Sequence, residues 1–447
     1  MRSTIPAHDE GHGAPPVPRR VVITGIGTVS AMGRGVDTLL AGLREGRNCA
    51  RPISAFDTTG FDYANACEVT AGEDDPPGDP DLGRAAGFAV EAARLAVNDA
   101  GLGGTTHDAG LGGTTPDAGL GGTTPAVDAL ATGRWAVAVG TTDGESRDLD
   151  DIVAQQLAGE RAEDGEHAPD PATVARVQPL RLSAAIARGL GLERAEVLTL
   201  QTACAAGNYA IGYGFDAIRT GDADLALAGG ADALCRKTFT GFFRLGTIAP
   251  DLCRPFDADR QGILTGEGAT VLVLESLDGA LARGARVYAE VLGYGLTCDA
   301  THPVAPDDAG VARCISVAHA RAGLVPADID LVSAHGTGTR ANDVTESRAL
   351  RAVFGEDVPR TISIKSMLGH SMGAASAIGA AASALALTHQ FIPPTINHRE
   401  TDPECAVDCV PNVSVPAHLS VVQNHGLAFG GNNSVLLLGR AEPEWAA

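Results

Sequence analysis

The chain echoes itself, and that restricts its fold more than any other feature. Ala-Gly-Leu at 100–102 ends a helical pattern and returns, again after a helical pattern, at 322–324. Val-Gly-Thr at 139–141 answers His-Gly-Thr at 335–337, each an apolar run entering a turn. Cys204-Ala-Ala-Gly-Asn-Tyr-Ala-Ile-Gly212 aligns with Ser371-Met-Gly-Ala-Ala-Ser-Ala-Ile-Gly379. Gly262, Gly266 and Val271-Leu-Val-Leu274 align with Gly426, Gly430 and Val435-Leu-Leu-Leu438. Single matches come cheaply in a Gly/Ala-rich chain, but four in one order imply a duplicated α/β unit. On this alignment the helix starts at Cys204 and Ser371 are equivalent.

The elements between these landmarks alternate as such a unit requires. Val21-Val-Ile-Thr-Gly-Ile-Gly27 reads as a buried strand ending in a glycine turn, followed by helices at 36–44 and 84–100. Residues 146–176 are polar and read as a loop with a helical piece. Residues 262–274 read as a tight hairpin. After Val287 the pattern restarts: helix 309–322, strand 330–334, strand 361–364, helix 372–389 and a closing hairpin. The expected organisation is a tail at 1–19, a first half at 20–286, a second half at 287–440 and a tail at 441–447. Between 99 and 125 a nonapeptide beginning Asp-Ala-Gly-Leu-Gly-Gly-Thr-Thr runs three times. Gly and Thr at that density build no core, so this is expected as an expanded surface loop.

Composition removes several classes of function. A net charge of −22 argues against nucleic acid as a partner. No run of about 18 apolar residues suggests a membrane span. The first residues are polar, carry Pro15-Pro-Val-Pro18 and lack a signal-peptide core, so a cytoplasmic location is expected. Nine cysteines are scattered without metal-ligand spacing, as reduced thiols would be, and no metal is expected.

The chemistry gathers at a few turns. Leu198-Thr-Leu-Gln-Thr-Ala-Cys204 is a short apolar run that turns into a helix, with Cys204 at the junction. A helix start offers free N–H groups and a positive dipole end, which favours a thiolate and can hold an oxyanion. Ser333-Ala-His335-Gly-Thr337-Gly-Thr339 puts a histidine at a strand's C-terminal end, where α/β sheets carry their sites. Ser363-Ile-Lys365-Ser-Met-Leu-Gly-His370 does the same with a lysine and a histidine. Lys237 and Lys365 are the only lysines, which marks places where a compact charge was wanted. Asn424-His-Gly-Leu-Ala-Phe429-Gly-Gly is a glycine turn able to bring a backbone N–H close to a ligand. A second reading competes. Gly369-His-Ser371-Met-Gly373 fits the nucleophile elbow of a serine hydrolase or acyltransferase, with Asp402, Asp408, His398 and His425 downstream. It leaves Cys204, His335 and the duplication unexplained.

Thr202-Ala-Cys204, Arg254-Pro-Phe-Asp257, Gly266-Glu-Gly268, His335-Gly-Thr-Gly-Thr339, Lys365-Ser-Met-Leu-Gly-His370 and Phe429-Gly-Gly431 together resemble the β-ketoacyl-acyl carrier protein synthases of the elongating Cys-His-His kind. The resemblance covers nearly all of residues 21–439. It implies the duplicated thiolase-like fold, α/β with five layers α-β-α-β-α. It also implies an acyltransferase that joins malonyl-carrier protein to a Cys-bound acyl chain by decarboxylative Claisen condensation. Carried over by motif, Cys204 is the acyl acceptor, His335 and His370 assist decarboxylation and hold the enolate, and Lys365 holds the histidines in place. Phe429 gates the pocket, and its N–H joins that of Cys204 as the oxyanion hole. Glu267, Asp343, Thr337 and Thr339 are supporting residues, Glu267 being structural or beside a monovalent cation.

No cofactor is implied beyond the phosphopantetheine that arrives on the carrier protein. Thiolases use a second cysteine, chain-initiating synthases have Asn at the position of His370, and chain-length factors lack the cysteine, so this chain looks competent. Leu427, Gly426 and Asn432 depart from the usual closing loop and point to a type II polyketide synthase, with primary fatty-acid elongation as the alternative. The implied partners are an acyl carrier protein and either a second copy or a chain-length factor. Docking of an acidic carrier on an acidic enzyme needs a local basic patch, for which Arg236, Lys237 and Arg244 are candidates.

Overall fold

Val21-Val-Ile-Thr-Gly-Ile-Gly27 does not stop at its glycines. In the computed structural model, which describes residues 18–70, 79, 81–103, 130–159 and 170–441, it is the start of β1, Val21–Ser30, buried along its whole length. The glycines serve contact, not a turn. A β-carbon on Gly25 would lie 2.2 Å from the carbonyl oxygen of Ala96, and one on Gly27 would lie 1.8 Å from that of Ala92. Helix α1, Arg84–Asp99, therefore lies directly on the strand.

Four further long strands of the large sheet belong to the first half: β2 (Trp135–Gly140), β3 (Ala195–Leu200), β4 (Leu225–Asp232) and β5 (Gly268–Ser276). The second half has β6 (Ala289–Cys298), β7 (Leu331–Ser333), β8 (Arg360–Ile362), β9 (Val421–Leu427) and β10 (Asn432–Gly439). Read outward from the middle of the sheet, the order is β1-β5-β4-β2-β3 on one side and β6-β10-β9-β7-β8 on the other. Within each half this is first, fifth, fourth, second, third. The directions also repeat: the two inner pairs are antiparallel and the two outer pairs parallel. The halves meet along a three-residue antiparallel register centred on Val22 and Glu290. The duplication is thus carried by topology.

Three separate apolar clusters make the layers. One lies beneath α1 on the outer face of the first half. The middle cluster surrounds two helices that follow the third strand of each half, and the third packs the outer face of the second half. Six further helices matter for the layers and the site, in chain order α2 (Ser146–Gly159), α3 (Ala206–Thr220), α4 (Arg236–Arg244), α5 (Asp308–Ala322), α6 (Arg340–Phe354) and α7 (Ala375–His389). α3 and α7 form the middle layer, and α5 and α6 cover the second half, giving α-β-α-β-α. Gly207 permits the α3–α7 crossing, since a β-carbon there would sit 2.6 Å from the amide nitrogen of Ala377. Being sandwiched explains why α7 is buried at every position from Ala375 to Leu387. The stretch Met372–His389 is long and apolar enough to cross a membrane, yet 83% of it is buried inside the fold.

Three sequence expectations are corrected. Residues 262–274 are not a hairpin: Thr265–Gly266 pairs in parallel with Asn65–Cys67, while β5 enters the large sheet between β1 and β4. Residues 146–176 hold two helices, α2 and Pro171–Arg176, the latter capped by Asp170 with proline at its first position. The third concerns register. Short 3₁₀ turns, Ala203–Ala205 and Met372–Ala374, precede α3 and α7. Ala203 and Met372 share a left-handed backbone, φ 49° and 48°. Structurally, then, Cys204 matches Gly373, and Ser371 matches Thr202; the shared Ala-Ile-Gly had drawn the alignment two residues away. The repeat at 99–125 lies outside the described residues beyond Gly103, as do nearly all of the two tails.

Candidate active site

The chemical turns converge at the C-terminal ends of the parallel strands. Cys204 follows β3, His335 follows β7, Lys365 and His370 follow β8, and Phe429 lies between β9 and β10. Cys204, His335, His370, Leu427 and Phe429 line one cavity of about 100 Å³. Thr337, Thr339 and Phe242 complete much of its wall.

Cys204 is 6% exposed and stands just after strained Ala203. Burial pushes its thiol up to about 12; the charge of Lys365 pulls the other way, and Asp232 and Asp143 add to the rise. The expectation of a thiolate at the helix start therefore fails for the resting enzyme, because desolvation outweighs the helix end. A free-enzyme alkylation rate should climb about tenfold per pH unit from pH 7 to 10, as only the thiolate reacts. Iodoacetamide labelling of Cys204 checks this, and a plateau near pH 7 would contradict it.

The rings of His335 and His370 have centroids 5.3 Å apart and planes at 81°. Burial first, then the charge of Lys365, holds both imidazoles well below their ordinary value, so both are neutral. A neutral imidazole offers one N–H to a developing negative oxygen without carrying charge into the cavity.

The backbone at His335 is clamped on both sides. Buried Lys365 donates from Nζ to the His335 carbonyl at 2.5 Å. The N–H groups of His335 and Gly336 donate to Glu346 Oε1 and Oε2, both at 2.8 Å. Gly336, at φ 39°, has its carbonyl held by the Ser363 hydroxyl at 2.6 Å. Lys365 is lowered by burial, with Glu346 opposing. Glu346 meets the same burial, but His425 and the two backbone donors more than offset it and hold the carboxyl below its ordinary value. Sequence reading missed Glu346. The available signal was Asp343 and Glu346 three apart on the buried stripe of α6, directly after His335-Gly-Thr-Gly-Thr339.

The other residues singled out in the sequence take defined places. Asp343 accepts from the N–H groups of Phe256 at 2.8 Å and Gly338 at 3.2 Å, fixing the turn after His335. The Thr337 and Thr339 hydroxyls pair at 2.9 Å, and Thr339 caps α6. Glu267 is not among the residues that line the cavity. It accepts from Arg84 Nε at 2.9 Å and from the N–H groups of Val69 and Leu234 at 3.0 Å each, which gives it a structural role. Arg236, Lys237 and Arg244 all lie on α4. Lys237 is tied to Asp143 at 2.9 Å and Ser146 at 2.8 Å, and all three basic residues are exposed. Phe242 of the same helix packs on Phe429, centroids 5.4 Å apart.

Ser371 is buried outside the cavity wall and precedes the strained residue instead of following it. Gly373, the counterpart of Cys204, points its N–H at the buried carboxylate of Asp232, 2.6 Å away. The second elbow is therefore closed by an internal carboxyl group.

Comparison with known proteins agrees with this fold. The family described as "Beta-ketoacyl synthase, N-terminal domain" matches residues 18–280, and "Beta-ketoacyl synthase, C-terminal domain" matches 288–399. A "Putative polyketide beta-ketoacyl synthase 1" of Streptomyces cyaneus is 37% identical, over 94% of this chain and 98% of that one. Among solved structures, "The ishigamide ketosynthase/chain length factor" superposes with a TM-score of 0.86 at 54% identity, covering 95% of this chain and all of that one. A type II polyketide ketosynthase in complex with its acyl-carrier protein superposes at 0.82 with 28% identity, covering 95% and 100%.

Proposed function

The chain belongs to the β-ketoacyl synthase family, and from that premise we propose that it extends carrier-bound acyl chains in type II polyketide synthesis by decarboxylative Claisen condensation. One observation carries the reading: a buried sulfur and two buried neutral imidazoles face the same small cavity. Cys204 attacks the acyl thioester, the carrier thiol leaves with a proton, and the acyl chain rests on sulfur. A malonyl thioester then enters and loses CO₂. The electrons left on its thioester form an enolate whose oxygen receives hydrogen bonds from His335 and His370. The enolate carbon attacks the Cys204-bound carbonyl, whose oxygen is held by the N–H groups of Cys204 and Phe429. Collapse expels the Cys204 sulfur as a thiolate, which takes a proton from water to restore the thiol, and the β-ketoacyl chain leaves on the second carrier.

The residues present serve this chemistry without a resident cofactor, since the pantetheine arm comes and goes with the substrate. β3 is the outermost strand of its side of the sheet. It offers an edge to a second subunit, for which a chain-length-factor-like chain is the partner we favour. We place the enzyme in the cytoplasm with its carrier.

We assign carrier docking to the exposed face of α4 around Arg236 and Arg244. The test is condensation with the malonyl unit on a carrier protein or on a small thioester. Both should yield CO₂ and a β-ketoacyl product, over several elongations from the carrier. The pair Arg236→Glu and Arg244→Glu should lower carrier-bound turnover about tenfold, as loss of charge complementarity does, and leave the small thioester unaffected. Equal loss on both substrates would remove the docking assignment. A single elongation would favour fatty-acid synthesis.

A further inference from the structure

Behind His335 runs a file of four buried side chains that the reaction itself does not use. His319 of α5 meets Gln423 of β9 at 2.6 Å, through Nε2 and Oε1. Gln423 Nε2 meets His425 Nε2 at 2.6 Å, and His425 Nδ1 meets Glu346 Oε1 at 2.7 Å. All four are at most 4% exposed. Gln423 and His425 are two apart on one strand and so share a face. The file ends on the same Glu346 oxygen that receives the N–H of His335.

The contacts permit one consistent polarity. Glu346 is a carboxylate, so its partner His425 must present a proton on Nδ1. The Gln423 amide places its nitrogen against His425 Nε2, which therefore accepts, and its oxygen accepts from His319 Nε2. Each group thus selects the orientation of the next.

On the reading of the reaction given above, we propose that His425 is a positioning residue for His335. It donates to Glu346 and so holds the carboxylate that fixes the His335–Gly336 backbone opposite Lys365. Because His335 acts on the malonyl unit, weakening this support should impair decarboxylation while sparing acyl transfer to Cys204.

The variants separate a positioning role from simple packing. In His425→Asn the amide nitrogen falls where Nδ1 was, so the donor to Glu346 survives although the ring is lost. In His425→Gln the amide falls where Nε2 was, which fills the site better but removes that donor. Both half-reactions would be measured on the full chain: CO₂ release from malonyl-carrier protein, and acylation of Cys204 by acyl-carrier protein followed by mass. His425→Gln is expected to lose about tenfold or more in CO₂ release, the scale of a small misplacement of a reacting group, with acylation within about twofold. His425→Asn should recover most of the CO₂ release. Asn as slow as Gln, or both half-reactions falling together, would overturn the proposal. Should Gln prove unfolded by circular dichroism, the decision passes to Asn, whose CO₂ release must then stay within about threefold of the native chain. A native enzyme that acylates Cys204 but releases no CO₂ would instead overturn the condensation reading on which this rests.

Discussion

Cys204→Ala should lose condensation by roughly six orders of magnitude, the scale on which a covalent enzyme falls when its nucleophile is removed. The loss should be selective. His335 and His370 remain in the cavity with their neutral imidazoles, so the variant should still release CO₂ from malonyl-carrier protein while forming no β-ketoacyl product. Following CO₂ and product together checks both halves of the statement. Product formation persisting in Cys204→Ala would place the acyl chain elsewhere.

The mirror-image result is expected of the histidines. His335→Ala and His370→Ala should each leave acylation of Cys204 nearly intact. Each should slow CO₂ release by about 10²- to 10³-fold, the usual cost of one oxyanion-stabilising donor, or about 3–4 kcal/mol. The double variant should fall little below the weaker single one, because groups acting on one oxygen do not add. Stopped assays with a labelled malonyl carboxyl would measure the loss. A normal rate in either single variant would remove that histidine from the enolate site.

Cys204, His335, His370 and Phe429 were legible because each sits in a short motif at a strand end, and the fold gathers strand ends. The duplication was legible for a similar reason, since repeated strand–turn–helix units leave repeated small residues. What escaped was whatever depends on three dimensions. Gly25 and Gly27 looked like a turn because nothing in their neighbourhood announces that α1 crosses above them. The Cys204–Ser371 equivalence was two residues out because the left-handed residues that set the register, Ala203 and Met372, have no sequence signature. The thiol of Cys204 was expected to be acidic because a helix start is visible in sequence and the depth of burial is not. Glu346 and His425 stand 79 residues apart and become partners only when α6 packs on β9.

The measurement closest to the central claim is peptide-level mass analysis after incubation with an acyl-carrier protein thioester. The account predicts one acyl adduct, on the peptide carrying Cys204 and absent from Cys204→Ala. An adduct on Ser371 instead would contradict it and would make the second elbow, not the first, the seat of the chemistry.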